Sequence, residues 1–169
     1  MKNPNTSPAM LLANLWVIGI ISITLNAFLF KFRSKKYILE KPQLSEGYEK
    51  IFKGFLFWGN LPWIVVGVGC IFGGIPSFFH FLHPKDGNPY VLAFFGVVCL
   101  EWIMGTNWLF FRGGAQMLVD HPGLLVMRGG GNITNPSFIK LLWMLMLLAG
   151  VVGIFMMWTR NISMPSFAS

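Results

Sequence analysis

The sequence predicts an all-α integral membrane protein, a bundle of about four transmembrane helices with a short interfacial helix between the third and the fourth. Hydrophobic residues make up 54% of the 169 residues and charged residues only 11%, whereas a soluble domain carries about 25% charged residues. Long apolar runs recur along the chain, and basic residues gather between them. Because so few charges could hardly cover a surface in water, we expect lipid to surround much of the chain.

Four apolar runs reach the length of a membrane helix. About 20 residues rising 1.5 Å each cross a hydrocarbon layer of about 30 Å. In lipid the backbone must bond within its own segment, which favours helices. We therefore predict one membrane domain, residues 1–169, with spans at about residues 10–30, 54–79, 89–111 and 138–158.

The first run differs from a signal peptide, because it is longer than a typical apolar core and is followed by lysines and arginines, so we expect it to be retained. Before the second span, Ser45 is expected to begin a helix outside the membrane. Pro62 should kink that helix. Pro76 should end it and leave residues 77–82 as a short interfacial segment.

The third and fourth spans have recognisable beginnings. Asn88 and Asn135 each precede a proline, and asparagine is a favoured N-cap while proline suits the first helical position. Between these spans, residues 114–119 are expected to form the short surface helix, which Asp120-His-Pro-Gly would close.

The net charge of +7 is concentrated in two loops. Because basic residues favour the cytoplasmic side, we predict both basic loops in the cytoplasm and both termini outside, in a bacterial cytoplasmic membrane. Anionic lipid headgroups are the expected partners of these loops. No basic groove accompanies the charge, so we predict no nucleic-acid binding. The basic residues are Lys31, Arg33, Lys35, Lys36, Lys41, Lys50 and Lys53 in the first loop, and Arg112, Arg128 and Lys140 in the loop before the fourth span.

Glu101 is the one acid near the middle of a predicted span. A carboxylate at that depth costs on the order of 3 kcal/mol on insertion scales, so it should face the bundle or a wet cavity. It could form a proton or cation site, or hydrogen-bond to a neighbouring helix. The alternative is a neutral acid with a structural role.

Three asparagines are predicted to form a polar layer. Asn26, Asn60 and Asn107 lie five to seven residues from basic residues at the span ends, which corresponds to a depth of roughly 8–10 Å. Amides in a span usually join helices. The second possibility is a hydrated vestibule that leads toward Glu101.

Pairs of small residues at a spacing of four predict close helix packing. Gly69 and Gly73 form one pair in the second span, and Ala149 and Gly153 form another in the fourth. Packing within the chain and recruitment of another subunit both remain open.

Histidines and cysteines give weak signals. His80 and His83, three residues apart, are weak candidates for metal or haem ligands, since Asp86 is the only acid nearby. Cys70 and Cys99 lie inside apolar runs and are expected to be buried thiols. We therefore predict no metal and no cofactor.

These patterns favour a non-enzymatic membrane protein, either an accessory subunit or a self-associating one, whose partner would be a second copy or another membrane protein. One alternative is an oligomeric ion or proton channel, or a carrier, that uses Glu101. Another is a membrane redox or lipid-modifying enzyme that uses His80 and His83.

Overall fold

The chain folds into a helical bundle in the computed structural model, which describes residues 14–126 and 131–160. Four of its helices are long and apolar enough to cross a membrane, as predicted, and a short helix lies between the last two. The helices are α1 (Leu15–Glu40), α2 (Ser45–Phe72), α3 (Pro89–Phe111), α4 (Gly114–Asp120) and α5 (Pro136–Thr159).

The first two helices are longer than the hydrocarbon core of a bilayer, which is about 30 Å thick. α1 has 26 residues and α2 has 28, so at 1.5 Å per residue they measure about 39 and 42 Å. α1 continues ten residues beyond the predicted end at Phe30, because the basic residues that follow are good helix formers and can lie in water. A short 3-10 turn, Pro42–Leu44, leads into α2.

Glycine and tryptophan alternate across the α1–α2 contact. The indole of Trp63 in α2 fills the position that a Cβ would occupy at Gly19 in α1. In the reverse direction, the indole of Trp16 in α1 covers Gly67 in α2. Because glycine has no side chain, each indole lies directly on the backbone of the opposite helix.

α2 ends earlier than the second predicted span. It stops at Phe72, and Gly73 donates its backbone N–H to Gly69 O at 3.0 Å. Gly74 then takes a φ of +63°, which glycine adopts without strain. The glycine pair, rather than Pro76, therefore ends the helix. Pro62 lies inside α2.

The segment between α2 and α3 folds back onto the bundle. It forms two 3-10 turns, Phe78–Leu82 and Pro84–Asp86. The Phe81 side chain is fully buried and packs with Val66, Ile75 and Val91. This apolar cluster closes the end of the bundle opposite the basic loops.

α3 and α5 begin at the predicted caps. The Asn88 side chain accepts a hydrogen bond from Tyr90 N at 3.0 Å, and the Asn135 side chain accepts one from Ser137 N at 2.9 Å. The predicted helix at residues 114–119 is also present as α4, and it follows Gly113, whose φ is +70°.

α5 joins the bundle through a second glycine–tryptophan exchange. The Trp143 indole covers Gly105 of α3, and the Trp102 indole of α3 covers Gly150 of α5. Trp143 Nε1 also donates a hydrogen bond to Thr106 Oγ1 at 2.9 Å. This hydrogen bond joins α5 to α3 at the level of Thr106.

Candidate functional site

Glu101 lies on the covered face of α3. Its neighbours one turn along the helix, Val98 and Gly105, are likewise partly covered. The Oε1 atom of Glu101 is buried and has no hydrogen-bond partner among the described residues. A buried polar atom without a partner is energetically costly, so this oxygen is a position where a proton, water or cation would stabilise the structure.

Asn60 is buried at the contact between α1 and α2, with 7% of its surface exposed. Its Nδ2 donates to Leu56 O at 2.7 Å and, over 3.4 Å, to Thr24 Oγ1 in α1. The Oδ1 atom is buried and receives no hydrogen bond from any described residue. Asn60 therefore joins two helices and leaves one acceptor unused.

A groove of about 360 Å³ runs beside Asn60 and opens to the outside of the bundle. Its walls are almost entirely apolar, and all of them belong to α1 and α2. The lining residues are Ile20, Lys53, Leu56, Phe57, Asn60 and Ile64.

Asn60 and Glu101 lie at nearly the same depth, but Glu101 does not line the groove beside Asn60. Gly69 packs against Tyr90; Asn60 lies nine residues before Gly69, and Glu101 lies eleven residues after Tyr90. In antiparallel helices this difference of two residues amounts to about 3 Å. The groove beside Asn60 contains no α3 residue, so it does not lead to Glu101.

The other two asparagines face outward. Asn26 is exposed on α1, and its Nδ2 donates to Ser22 O in the same helix at 2.8 Å. Asn107 is exposed on α3, beside the exposed residues Ile103 and Met104. The three amides and Glu101 thus lie in different surroundings, and among the described residues no hydrogen bond joins any two of them.

The two histidines bond to nearby groups. His80 Nδ1 lies 3.1 Å from Ser77 Oγ, and His83 Nδ1 lies 3.1 Å from Phe79 O. His80 and Asp86 line a small pocket of about 140 Å³. Across residues 14–126 and 131–160, no three histidine, cysteine or acidic side chains gather as a metal site would require. Cys70 is partly buried, whereas Cys99, predicted to be buried, is exposed on the outer face of α3.

The two small-residue pairs have different surroundings. A Cβ at Gly69 would meet Phe81 Cζ at 2.7 Å, and Gly73 packs against the ring of Tyr90, so this pair packs within the chain. Ala149 is exposed, and a Cβ at Gly153 would meet nothing within 4 Å. The α5 pair therefore has open space in front of it.

A buried polar cluster at the basic end was not predicted. Tyr48 Oη donates to Pro122 O at 2.8 Å, and its ring meets the His121 ring edge-on with centroids 4.8 Å apart. His121 Nδ1 bonds to Met117 O at 2.6 Å, and its ring lies against Gly47. Asp120-His-Pro-Gly was visible in the sequence, but its distant partner, Tyr48, was not.

The same cluster continues into the loop before α5. The ring of Tyr37 lies against Gly123, whose φ is +86°. Gly123 N donates to Asn132 Oδ1 at 2.8 Å, and Ile133 N donates to Leu125 O at 3.1 Å. These contacts hold the loop on the ends of α1 and α2. Arg128 of the predicted basic loop lies outside the described residues.

Ion pairs at this end are exposed. Glu49 lies 3.2 Å from Lys31 Nζ and 3.6 Å from Lys53 Nζ. Exposed pairs of this kind contribute about 0–1 kcal/mol each. Among the described basic residues of the first loop, only Lys31 and Lys53 take part in ion pairs.

Comparison with protein-family models, curated proteins and solved structures finds no match for the chain. Its function therefore has to be argued from its own residues.

Proposed function

We propose that the chain is a non-enzymatic membrane subunit that acts by packing against other membrane helices, either a second copy or a partner protein. The observation that carries this proposal is the exposed amide of Asn107 on a membrane-spanning helix. Asn26, the other exposed amide, bonds to its own helix, whereas no such bond is found for the Asn107 side chain within the described residues.

An amide facing lipid without a partner is unfavourable, because hydrocarbon supplies neither donors nor acceptors. A second helix with a polar side chain at the same depth would satisfy it. Asn26 and Asn107 are exposed, and Glu101 does not line the groove beside Asn60. This arrangement also favours packing over transport, since transport needs polar groups that line a continuous path.

The α5 surface supports the same proposal. The pair Ala149 and Gly153 allows the backbone of another helix to approach, and no described residue occupies the space in front of Gly153. The chain thus has two outward surfaces, on α3 and α5, with features that are typical of helix association.

The proposal includes an orientation. We propose that the basic ends of α1 and α2 and the loop before α5 lie in the cytoplasm of a bacterial cell, where anionic headgroups would contact them. Both termini would then lie outside. Cysteine labelling from each side of sealed vesicles, with single cysteines at positions 36 and 86, tests this orientation. Labelling of position 36 from the periplasmic side would contradict it.

Native electrophoresis and light scattering after solubilisation in a mild detergent test the function itself. We expect a dimer, a higher oligomer or a complex with a co-purifying membrane protein. A monomer without a partner, both in detergent and in liposomes at high protein density, would contradict the proposal.

A second candidate function rests on the unpartnered Oε1 atom of Glu101. If several copies enclosed a path, this carboxyl group could carry protons or cations. The test is flux into proteoliposomes, with wild type compared with Glu101→Gln, which keeps the size and removes the acid. Loss of flux in the variant would support this candidate, and an absence of flux in both proteins would exclude it.

A further inference from the structure

We propose that α3 pairs with α3 of a second copy along one exposed face, in a parallel dimer; this inference rests on the proposed function and names its partner. Exposed residues recur on α3 in steps of three, four, three and four. We call this set the α3 seam, and it consists of Ala93, Gly96, Leu100, Ile103 and Asn107.

The spacing of the seam is that of a coiled coil. Residues that recur every three and four positions stay on one side of a helix over its whole length, which allows two helices to pack side by side. Leu100 is 47% exposed and Ile103 is 68% exposed, so both side chains are available as apolar contacts. The seam covers two heptads, nearly two thirds of α3.

The residues at the outer end of the seam have small side chains or none. Ala93 is exposed, and a Cβ at Gly96 would meet nothing within 4 Å. No contact within the described bundle explains a glycine at this position. A second helix does explain it, because small residues let two backbones approach closely in lipid.

The other end of the seam is polar, because it contains Asn107. This residue favours a second copy of the chain as the partner. All copies of a chain insert in the same direction, so two α3 helices related by a twofold axis along the membrane normal are parallel. Asn107 of each copy then lies at the same depth. An amide is both donor and acceptor, so Nδ2 of one copy can donate to Oδ1 of the other, and the reverse. A single asparagine in such a seam sets register and oligomeric state.

The chain offers a matched control for each half of the seam. Asn26 is also an exposed amide in a span, but it already donates to Ser22 O. Gly54 is also a helical glycine with open space around it, but it lies on α2. Each control substitution replaces the same type of residue by the same side chain as the matching substitution in the seam, but at a position outside the seam.

The experiment measures dimerisation of the full chain in liposomes by Förster transfer between donor- and acceptor-labelled copies, over a series of protein-to-lipid ratios. For Asn107→Leu we expect dimerisation about 5- to 30-fold weaker, as for interhelical polar contacts in model membrane helices. Gly96→Ile should weaken it further by separating the backbones. Asn26→Leu and Gly54→Ile should leave it unchanged, and Gly153→Ile tests the α5 surface in the same assay.

The outcomes separate the two proposals. A dimer that neither Asn107→Leu nor Gly96→Ile weakens, or that Gly153→Ile disrupts instead, overturns the α3 seam while self-association stands. Association only with a different membrane protein also overturns the seam. A chain that is monomeric at every ratio and has no partner overturns both. Circular dichroism of each variant shows that the helices are retained, as expected for substitutions at exposed positions.

Discussion

Gly69 is the residue at which α2, α3 and the segment between them meet. A Cβ there would lie 2.7 Å from Phe81 Cζ and 3.0 Å from Tyr90 Cβ. We therefore expect Gly69→Leu to lower the free energy of unfolding by about 1–3 kcal/mol through overpacking. Titration with SDS in mixed micelles measures this. Gly54→Leu is the control, because nothing lies within 4 Å of a Cβ at that position; equal losses in both variants would contradict the argument.

Tyr48 is the buried residue that connects α2 to the loop before α5. Tyr48→Phe keeps the ring against His121 and removes only the donor to Pro122 O. The expected loss is about 1 kcal/mol of unfolding free energy, the usual worth of one hydrogen bond. Limited proteolysis near residues 121–126 should also become faster, because the loop loses a tie to α2. Wild-type behaviour in both assays would show that the hydrogen bond contributes nothing.

The sequence could predict the depth of a polar residue in a span but not the direction in which it points. Asn26, Asn60 and Asn107 were placed at one level by their distance from basic residues. The structure buries Asn60 and exposes the other two. Which side of a helix is covered depends on which helices are its neighbours, and apolar spans carry little pattern to reveal this, since lipid and protein interiors are equally apolar.

At the scale of the helix, the N-caps were predicted because their chemistry is local. Asn88 and Asn135 each accept a backbone N–H two residues ahead. We expect Asn88→Ala and Asn135→Ala each to cost about 1 kcal/mol of unfolding free energy. Asn88→Asp and Asn135→Asp retain an acceptor and should lose little. If alanine and aspartate behave alike in the same SDS titration, the caps do not stabilise these helices.

The C-terminal ends of α1 and α2 were less predictable than these N-caps. α2 stops at Phe72 because Gly73 and Gly74 follow. The end was predicted at Pro76 instead, because proline is the stronger helix breaker. α1 passes its apolar run by ten residues because the end of a membrane segment is not the end of a helix. Hydropathy reports where lipid ends, whereas hydrogen bonding and capping decide where the helix ends.

In the whole molecule, the helices differ in how much of their surface is buried against neighbouring helices. α1 and α2 meet over most of their length, whereas Ile139 is the one residue of α5 classed as buried among those described. α5 contacts α3 through the exchange of Trp143 and Trp102 with glycines of the opposite helix, and its Ile139 packs with Leu109 and Ala115. The fourth span therefore has the fewest buried residues of the four.

The hydrogen bond from Trp143 Nε1 to Thr106 Oγ1 is the polar part of that attachment. A double-mutant cycle with Trp143→Phe and Thr106→Val should give a coupling energy of about 0.6 kcal/mol and no more than about 1.7 kcal/mol, the range found for such bonds in membrane bundles. The matched cycle pairs Trp143→Phe with Thr24→Val, which lies at the α1–α2 contact, and its effects should add. A coupling energy of zero in the first cycle would mean that apolar packing alone holds α5 against α3. Gly105→Ala, whose Cβ would meet the Trp143 ring at 2.5 Å, should then weaken that contact more than loss of the hydrogen bond does.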